Sequence, residues 1–261
     1  MIFKKITKSI LSKLNLSTYG NVDKKNILAV INLLKPYNLG YDLIRLGGSK
    51  DGSYILPKIL DDIDYCFSAG YGGNCSFEKE LEKYNIKSFI ADYSYDAPTD
   101  LKNFQYEKKF IKSYSDEQSI DVNSWIENSA PKDAKNMIMQ IDIEGGEYEV
   151  LQAITEKNLD KFKILVIELH NLTAVNNQVF HKYFVSCLKK IKKNFDVFYL
   201  HSNNCCGVSN FQGIVFPNVL EVTLLNKSVV KKKEKFDDRK KDLVIKNIEN
   251  NKKIVLPDYW F

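Results

Sequence analysis

The sequence has no apolar run approaching the roughly 20 residues needed to cross a bilayer, no CxxC pair, and no long Pro/Gly/Ser linker. These absences argue against an integral membrane protein, a thiolate zinc site and a chain divided by a flexible tether. Histidine is scarce, with three in 261 residues, so any imidazole chemistry must come from His170, His181 or His201. The five cysteines (Cys66, Cys75, Cys187, Cys205, Cys206) are an odd number scattered along a long chain, which suits a reducing cytoplasm better than a disulfide framework. No secretion signal is legible, because Lys and Ser interrupt Ile2, Phe3, Ile6, Ile10, Leu11 and Leu14. That spacing predicts an amphipathic helix over 2–14, an ordinary packed helix being favoured over a membrane-surface or oligomer contact.

What is present is enough for a sizeable core: 44% of residues are hydrophobic and 27% charged, which excludes disordered and collagen-like chains. The net charge of +5 is unevenly placed. Residues 1–13 hold four lysines and no acid, residues 227–253 hold eleven bases and five acids, and residues 14–226 hold 23 bases against 27 acids. A mildly acidic middle between basic ends is not the footprint of a nucleic-acid-binding domain. With no internal repeat, the chain reads as a helical N-terminal extension (1–40), one central domain (41–226) and a basic C-terminal extension (227–261).

Beyond residue 60, strand candidates (Tyr65–Ala69, Ser88–Ala91, Phe104–Ile111, Met137–Ile143, Ile164–Leu169, Val197–His201, Val219–Leu225) alternate with helical periods (from about Ser76, Val122–Ser129, from about Glu147, Asn177–Lys190). Alternation of this kind predicts an α/β fold, a mostly parallel sheet with helices on both faces. Ile164–Leu169 is apolar almost throughout, as a strand buried on both faces should be. The last two strands are joined by a Cys/Gly/Asn/Pro stretch without helical period, which predicts an antiparallel pair.

A glycine turn, Ser68-Ala69-Gly70-Tyr71-Gly72-Gly73-Asn74-Cys75-Ser76, joins the first of these strands to a helix. Glycines permit the tight turn and the close approach of a ligand. Measured against the dinucleotide fingerprint G-x-G-x-x-G, the third glycine is replaced by Cys75, and Glu78 and Glu80 would repel a pyrophosphate at the helix start. Asp92, 22 residues beyond Gly70, ends the next strand where a carboxylate accepts the two hydroxyls of a ribose. A purely structural strand-turn-helix and a solvated loop acid are the competing readings. The pair resembles the first motif and second-strand acid of class I S-adenosylmethionine (SAM) methyltransferases.

A second signature is more specific: Ile141-Asp142-Ile143-Glu144-Gly145-Gly146-Glu147, an apolar strand running into a Gly-Gly turn and a helix. It strongly resembles the IDxEGxE motif of the FkbM-type SAM-dependent methyltransferases. The segments Ile44–Tyr54, Val166–Asn171 and His201–Asn204 agree with polysaccharide-associated members, and the resemblance covers roughly residues 40–226.

The resemblance implies a Rossmann-like class I methyltransferase fold with a seven-stranded, mostly parallel sheet and a late antiparallel hairpin. It places Ser68, Gly70, Gly72 and Asn74 around the methionine end of SAM, Asp92 on the ribose, Ser113 and Asp116 near the adenine, and Asp142 on the floor of the site. The segment containing Arg45, Lys50, Asp51 and Tyr54 would close over the pocket or touch substrate, with Asn171, Asn203 and Asn204 as further acceptor contacts. Cys75 and Ser76 depart from the small residues common late in the loop. The implied activity is O-methylation of a sugar hydroxyl, on a nucleotide-activated sugar or a surface-glycan (capsule or lipopolysaccharide) residue.

A sugar hydroxyl needs a base or a metal to lose its proton. His170 is the favoured base because it ends a strand at the carboxyl edge of the sheet; His201, Glu144 and Asp142 compete with it, Glu144 having a purely structural alternative at the Gly-Gly turn, and His181 reads as structural. Asp142, Glu168, His170 and His201 could converge on a divalent metal, which is admitted but not favoured. Tyr71, Tyr93, Tyr95 and Trp125 are candidates to pack on a sugar ring, against an ordinary core role. Cys205 and Cys206 read as packing residues. Arg45, Lys50 and the basic tail could meet a diphosphate. The partners expected are therefore a sugar or nucleotide-sugar acceptor, no nucleic acid and no bilayer, with a homo-oligomer allowed. The alternative enzyme is a nicotinamide-dependent nucleotide-sugar oxidoreductase, weakened by Cys75 and by the lack of a Tyr-x-x-x-Lys couple in a fitting place. Lys231–Lys241 reads as a solvated helix, and Ile254–Phe261 is apolar enough to dock.

Overall fold

The computed structural model describes residues 21–236 and 246–261, so the amphipathic segment expected over 2–14 lies outside the described residues. Helix α1 (Lys24–Leu34) buries Ile27, Val30, Ile31 and Leu34, an i, i+3, i+4, i+7 face, in the main core. The stretch read as an N-terminal extension thus supplies part of the domain's interior. An antiparallel ribbon of Leu43–Leu46 with Tyr54–Pro57 follows.

The central sheet contains β1 (Tyr65–Ala69), β2 (Lys87–Ala91), β3 (Phe104–Glu107), β4 (Met137–Ile141), β5 (Phe162–Leu169), β6 (Phe195–Ser202) and β7 (Leu220–Asn226). Its order is β6-β7-β5-β4-β1-β2-β3; β7 runs antiparallel to β5 and β6, and the other neighbours are parallel. The connecting helices are α2 (Ser76–Glu82), α3 (Val122–Ser129), α4 (Glu147–Ala153), α5 (Glu156–Leu159) and α6 (Gln178–Lys192). This is the Rossmann-like α/β architecture. Hydrophobic residues of β4 and β5 go alternately to two cores: Met139 and Leu165 to one face, Ile138 and Val166 to the other. That double burial is why these strands carry no polar alternation. Asp121 and Asn177 fix the starts of α3 and α6 by accepting hydrogen bonds from the first-turn amides. Between β1 and β4 the winding reverses direction, so the crevice at their carboxyl ends is the natural binding position.

Several local expectations are corrected. Phe104–Ile111 is not one strand: the chain turns at Lys108-Lys109, where Lys109 N donates to Glu107 O (2.8 Å), and Phe110–Lys112 pairs instead with Ser119–Asp121. The connection between β6 and β7 carries its own hairpin, Val208–Phe211 with Ile214–Pro217. Residues 231–236 are not helical; Glu234–Lys235 pairs with Tyr37–Asn38, with the Lys231 and Lys233 ammonium groups over the Tyr41 and Tyr37 rings, and 237–245 lie outside the described residues. Cys205 and Cys206 are exposed rather than packed, because the polar Asn203 and Asn204 turn inward ahead of them. The C-terminal segment docks as its composition requires, with Trp260 fully buried edge-on to Phe216 (4.8 Å) and Phe261 stacked on Phe236.

Candidate functional site

At the carboxyl ends of β1, β2 and β4 lies a cavity of about 520 Å³. The glycine turn forms one wall, with Gly70, Tyr71, Gly72 and Asn74 lining it. Gly70 and Gly72 both have positive φ (78° and 59°), and Gly72 faces open space where any side chain would project. Asp92 is buried at the end of β2 and accepts hydrogen bonds from Gly72 N (3.1 Å) and Ser94 N (2.8 Å), which present its carboxylate to the same cavity. Asn74 braces the opposite rim, donating to Asp51 O (3.2 Å). Cys75, the departure from the usual loop, does not line the cavity; its thiol is buried and donates to Asp100, and burial with that bond pushes its pKa up to about 11.

Ser68 is placed differently from the expectation. It is fully buried beneath the floor, its hydroxyl in contact with Glu78 Oε1 and Gln140 Oε1, and Gln140 Nε2 in turn donates to the Tyr54 hydroxyl (3.2 Å). One hydroxyl hydrogen cannot serve two acceptors. Burial raises the Glu78 pKa, and a proton on Glu78 completes the series Glu78 to Ser68 to Gln140 to Tyr54. Glu78, Gln140 and Tyr54 reach the cavity wall, whereas Ser68 does not.

Four acids surround His170, three of them from the second motif and one, Glu168, from β5. Glu147, the last acid of IDxEGxE, is wholly buried; its Oε1 accepts from Ile143 N (3.3 Å) and Gly145 N (3.0 Å) and lies 2.8 Å from His170 Nδ1. The bland role considered for Glu144 therefore belongs to Glu147, while Glu144 itself is left-handed (φ 53°) and solvent-facing. With Nδ1–H donated to Glu147, His170 turns Nε2 toward Glu144 Oε2 (3.4 Å), Asp142 Oδ1 (3.8 Å) and Glu168 Oε1 (3.8 Å). Burial pulls the His170 pKa down, but Glu147, Asp142 and Glu144 outweigh it and raise it. Burial, opposed by His170 and reinforced by Glu144, pushes Asp142 up to about 7. Burial and the Asp142 charge also raise Glu168 well above the carboxylate range. Asp142 and Glu144 line the cavity; His170 stands behind them.

Asp142, Glu168 and His170 each offer a ligand atom within 4.8 Å of the others, as do Asp51, Glu168 and Glu221, so either trio could grip a divalent cation. His201, the fourth expected ligand, is not part of either. It is buried, its Nε2 lies 2.7 Å from Asn247 Oδ1, and burial drops its pKa to about 4. A neutral, enclosed imidazole committed to Asn247 is an anchor rather than an accessible base. Asn203 donates to Glu168 Oε1 (2.8 Å) and Asp51 Oδ1 (3.3 Å), whereas Asn204 holds the C-terminal segment through Ile248 and Asn251. Arg45 is half-buried and donates to Ser53 Oγ (3.2 Å) in its own ribbon.

Other expected contacts are not brought to the cavity. Ser113 is tied to Glu149, and Asp116 caps its own exposed turn through Gln118 N and Ser119 N; Lys109, Phe110, Ile111 and Lys112 line that side instead. Lys50 is exposed at the ribbon turn, and Asn171, also exposed, packs its amide against Gly145. Trp125 is a core residue against Phe67, while Tyr71 and Tyr95 do line the mouth; Tyr93 packs on Phe110. Glu147, Glu221 and Asn247 escaped the sequence reading: Glu147 stood inside the quoted motif, but nothing in sequence connects Asn247 to Glu221.

Solved structures similar to this chain are so at low identity and low TM-score. A fibrillarin pre-rRNA processing protein of Methanococcus jannaschii is 8% identical over 73% of this chain and 84% of its own, with a TM-score of 0.39. A precorrin-6y C5,15-methyltransferase of Geobacter metallireducens is 9% identical over 80% and 95%, with a TM-score of 0.35. No curated protein matches the sequence. Residues 40–193, which carry the ribbon, the glycine turn, Asp92 and the Asp142–Glu147 turn, match the methyltransferase FkbM domain, and the chain belongs to that family of SAM-dependent methyltransferases.

Proposed function

We propose that the protein transfers the methyl group of SAM to a sugar hydroxyl, with Asp142 receiving the hydroxyl proton. The observation that carries this reading is Asp142 itself, a carboxylate on the cavity wall whose pKa is pushed up to about 7, backed by His170. A base with a pKa near the working pH combines adequate ionisation with adequate proton affinity.

The cavity fits the cofactor. Gly72 has open space where a side chain would project, Gly70 lets the turn close against the Asp142 carbonyl, and Asp92 keeps acceptor capacity for a ribose. When bound, SAM supplies an activated methyl group. The chain's own contribution is to place the acceptor oxygen, exclude water and take one proton. His170, held by Glu147, stabilises the Asp142 carboxylate before transfer. Glu144 lies nearer still to His170 Nε2 (3.4 Å), but its carboxylate is exposed at the mouth, where water screens the pair.

A carboxylate, an amide and two aromatic rings at the mouth (Asp51, Asn74, Tyr71, Tyr95) suit a polyhydroxyl acceptor. Five acids line the cavity (Asp51, Glu78, Asp92, Asp142, Glu144) against two lysines (Lys109, Lys112), and a glycan hydroxyl suits that balance better than a nucleotide diphosphate. Arg45, once a candidate for a diphosphate, bonds within its ribbon beside Glu221.

Calorimetry with SAM, S-adenosylhomocysteine and NAD tests the cofactor. Methyl transfer to methyl glycosides, oligosaccharides and nucleotide-linked sugars, read by mass spectrometry, tests the acceptor. Tight NAD binding without SAM binding sinks the methyltransferase reading. Transfer only to phosphorylated sugars sinks the acceptor assignment.

A further inference from the structure

We propose that the C-terminal segment forms part of the acceptor site, with Asn247 as a positioning residue that holds Asp51 at the cavity wall to accept hydrogen bonds from the hydroxyls of an unphosphorylated acceptor. This rests on the methyltransferase reading and deepens it, because the segment lies outside the matched residues 40–193.

Asn247 is buried, and its whole amide is used. Nδ2 donates to Glu221 Oε1 (2.8 Å) and Asp51 Oδ1 (3.0 Å), and Oδ1 accepts from His201 Nε2–H (2.7 Å). The two carboxylates fix the orientation of the amide, and its oxygen then fixes the His201 tautomer. A tail residue therefore joins the ribbon turn, the end of β6 and the start of β7 at one point. Without that amide, the Asp51 carboxylate would keep, among the described residues, the longer bond from Asn203 (3.3 Å) while facing the carboxylates Glu168 and Glu221. Asp51 is the member of this group that reaches the cavity.

The segment is fastened, not loosely laid. Asn204 receives Ile248 N (2.8 Å) and donates to Ile248 O (2.9 Å), Ser202 Oγ donates to Ile254 O (2.8 Å), and Trp260 Nε1 donates to Val215 O (3.2 Å). These bonds set Asn247 independently of the cofactor cradle, which lies at the ends of β1 and β2. Losing Asn247 should therefore loosen the acceptor wall and leave the cofactor wall intact.

Two measurements on the full chain decide it. In hydrogen exchange of the free protein, Asn247→Ala should speed exchange across residues 45–54 by about tenfold and leave β1 and β2 unchanged, the loss expected of one hydrogen bond to a charged group. An unchanged ribbon overturns the proposal, whether or not an acceptor is known. With a methyl glycoside that the wild type methylates, Asn247→Ala and Asp51→Asn should each raise KM by about tenfold while SAM affinity and kcat hold, and the double variant should add little more. Additive effects, or a fall in kcat at constant KM, overturn it as a merely structural contact. Failure of the wild type to bind SAM would instead count against the methyltransferase reading, and the exchange result would stand apart from it.

Discussion

The backbone carbonyl oxygen of Asp142 lies 1.8 Å from the point where a Cβ on Gly70 would sit. The two motifs of the family therefore meet backbone to backbone at the floor of the cavity. Gly70 also has φ 78°, so a side chain there is both crowded and strained. Gly70→Ala should lower stability by at least about 2 kcal/mol and abolish measurable SAM binding, read by denaturant midpoint and calorimetry. Wild-type values in both would show that the floor can open.

Asp92 should dominate cofactor affinity. Replacing it with alanine removes a buried carboxylate beside the glycine turn, and SAM binding should weaken by more than about tenfold. Calorimetry reads this directly, and unaltered affinity removes Asp92 from the site.

The pH dependence of kcat/KM should show a rising limb near 7, because Asp142 must be ionised to accept a proton and its pKa is raised to about 7. Asp142→Asn should lower turnover by about a hundredfold or more and abolish that limb. His170→Ala should also lower turnover, by withdrawing the positive partner from Asp142, while SAM affinity holds. A limb unchanged in Asp142→Asn would assign the base elsewhere.

His201 should govern acid stability rather than catalysis. Its pKa falls from 6.5 unfolded to about 4 folded, so the stability it contributes is fully present above 6.5 and is lost as pH drops toward 4. His201→Gln, which keeps a donor for Asn247 but does not titrate in this range, should flatten the fall in melting temperature between those pH values. An identical slope in the variant would refute the assignment.

Chelation tests the trio Asp142, Glu168 and His170. The acids around His170 raise its pKa and so favour a positive charge at the same place, and turnover should survive EDTA. Loss of turnover restored by Mg²⁺ or Mn²⁺ would put an ion between those ligands.

The sheet was legible because its signals are local. Tyr65–Ala69 and Val122–Ser129 have the bounds their periodicity predicts, and the doubly buried run before His170 was readable as such. Phe104–Ile111 misled because a continuous apolar-polar pattern does not record the turn at Lys108-Lys109, which exists only where the sheet ends. His170 and Asp142 were legible as strand-end residues, Asp142 just ahead of the Gly145-Gly146 turn. His201 carried the same signal, yet its fate was set by Asn247, 46 residues away in sequence. Ser68 looked like a ligand contact because it precedes the glycines, but the alternation of a strand turned it inward to Glu78 and Gln140. Partners that come together only through the tertiary fold leave no spacing to read.

The strand order also sets a sequence of events in time. β6 has β7 as its neighbour in the sheet, and β7 fills the slot between β6 and β5. A chain emerging from the ribosome can assemble β1 to β5, but the open edge of β5 stays unpaired until residue 226 has been made. That edge, Phe162–Leu169, is apolar and eight residues long, the kind of surface that recruits other unfinished chains. Truncations ending between β6 and β7 should therefore aggregate rather than fold to a smaller domain, which makes β7 the closing member of the sheet in synthesis as well as in space.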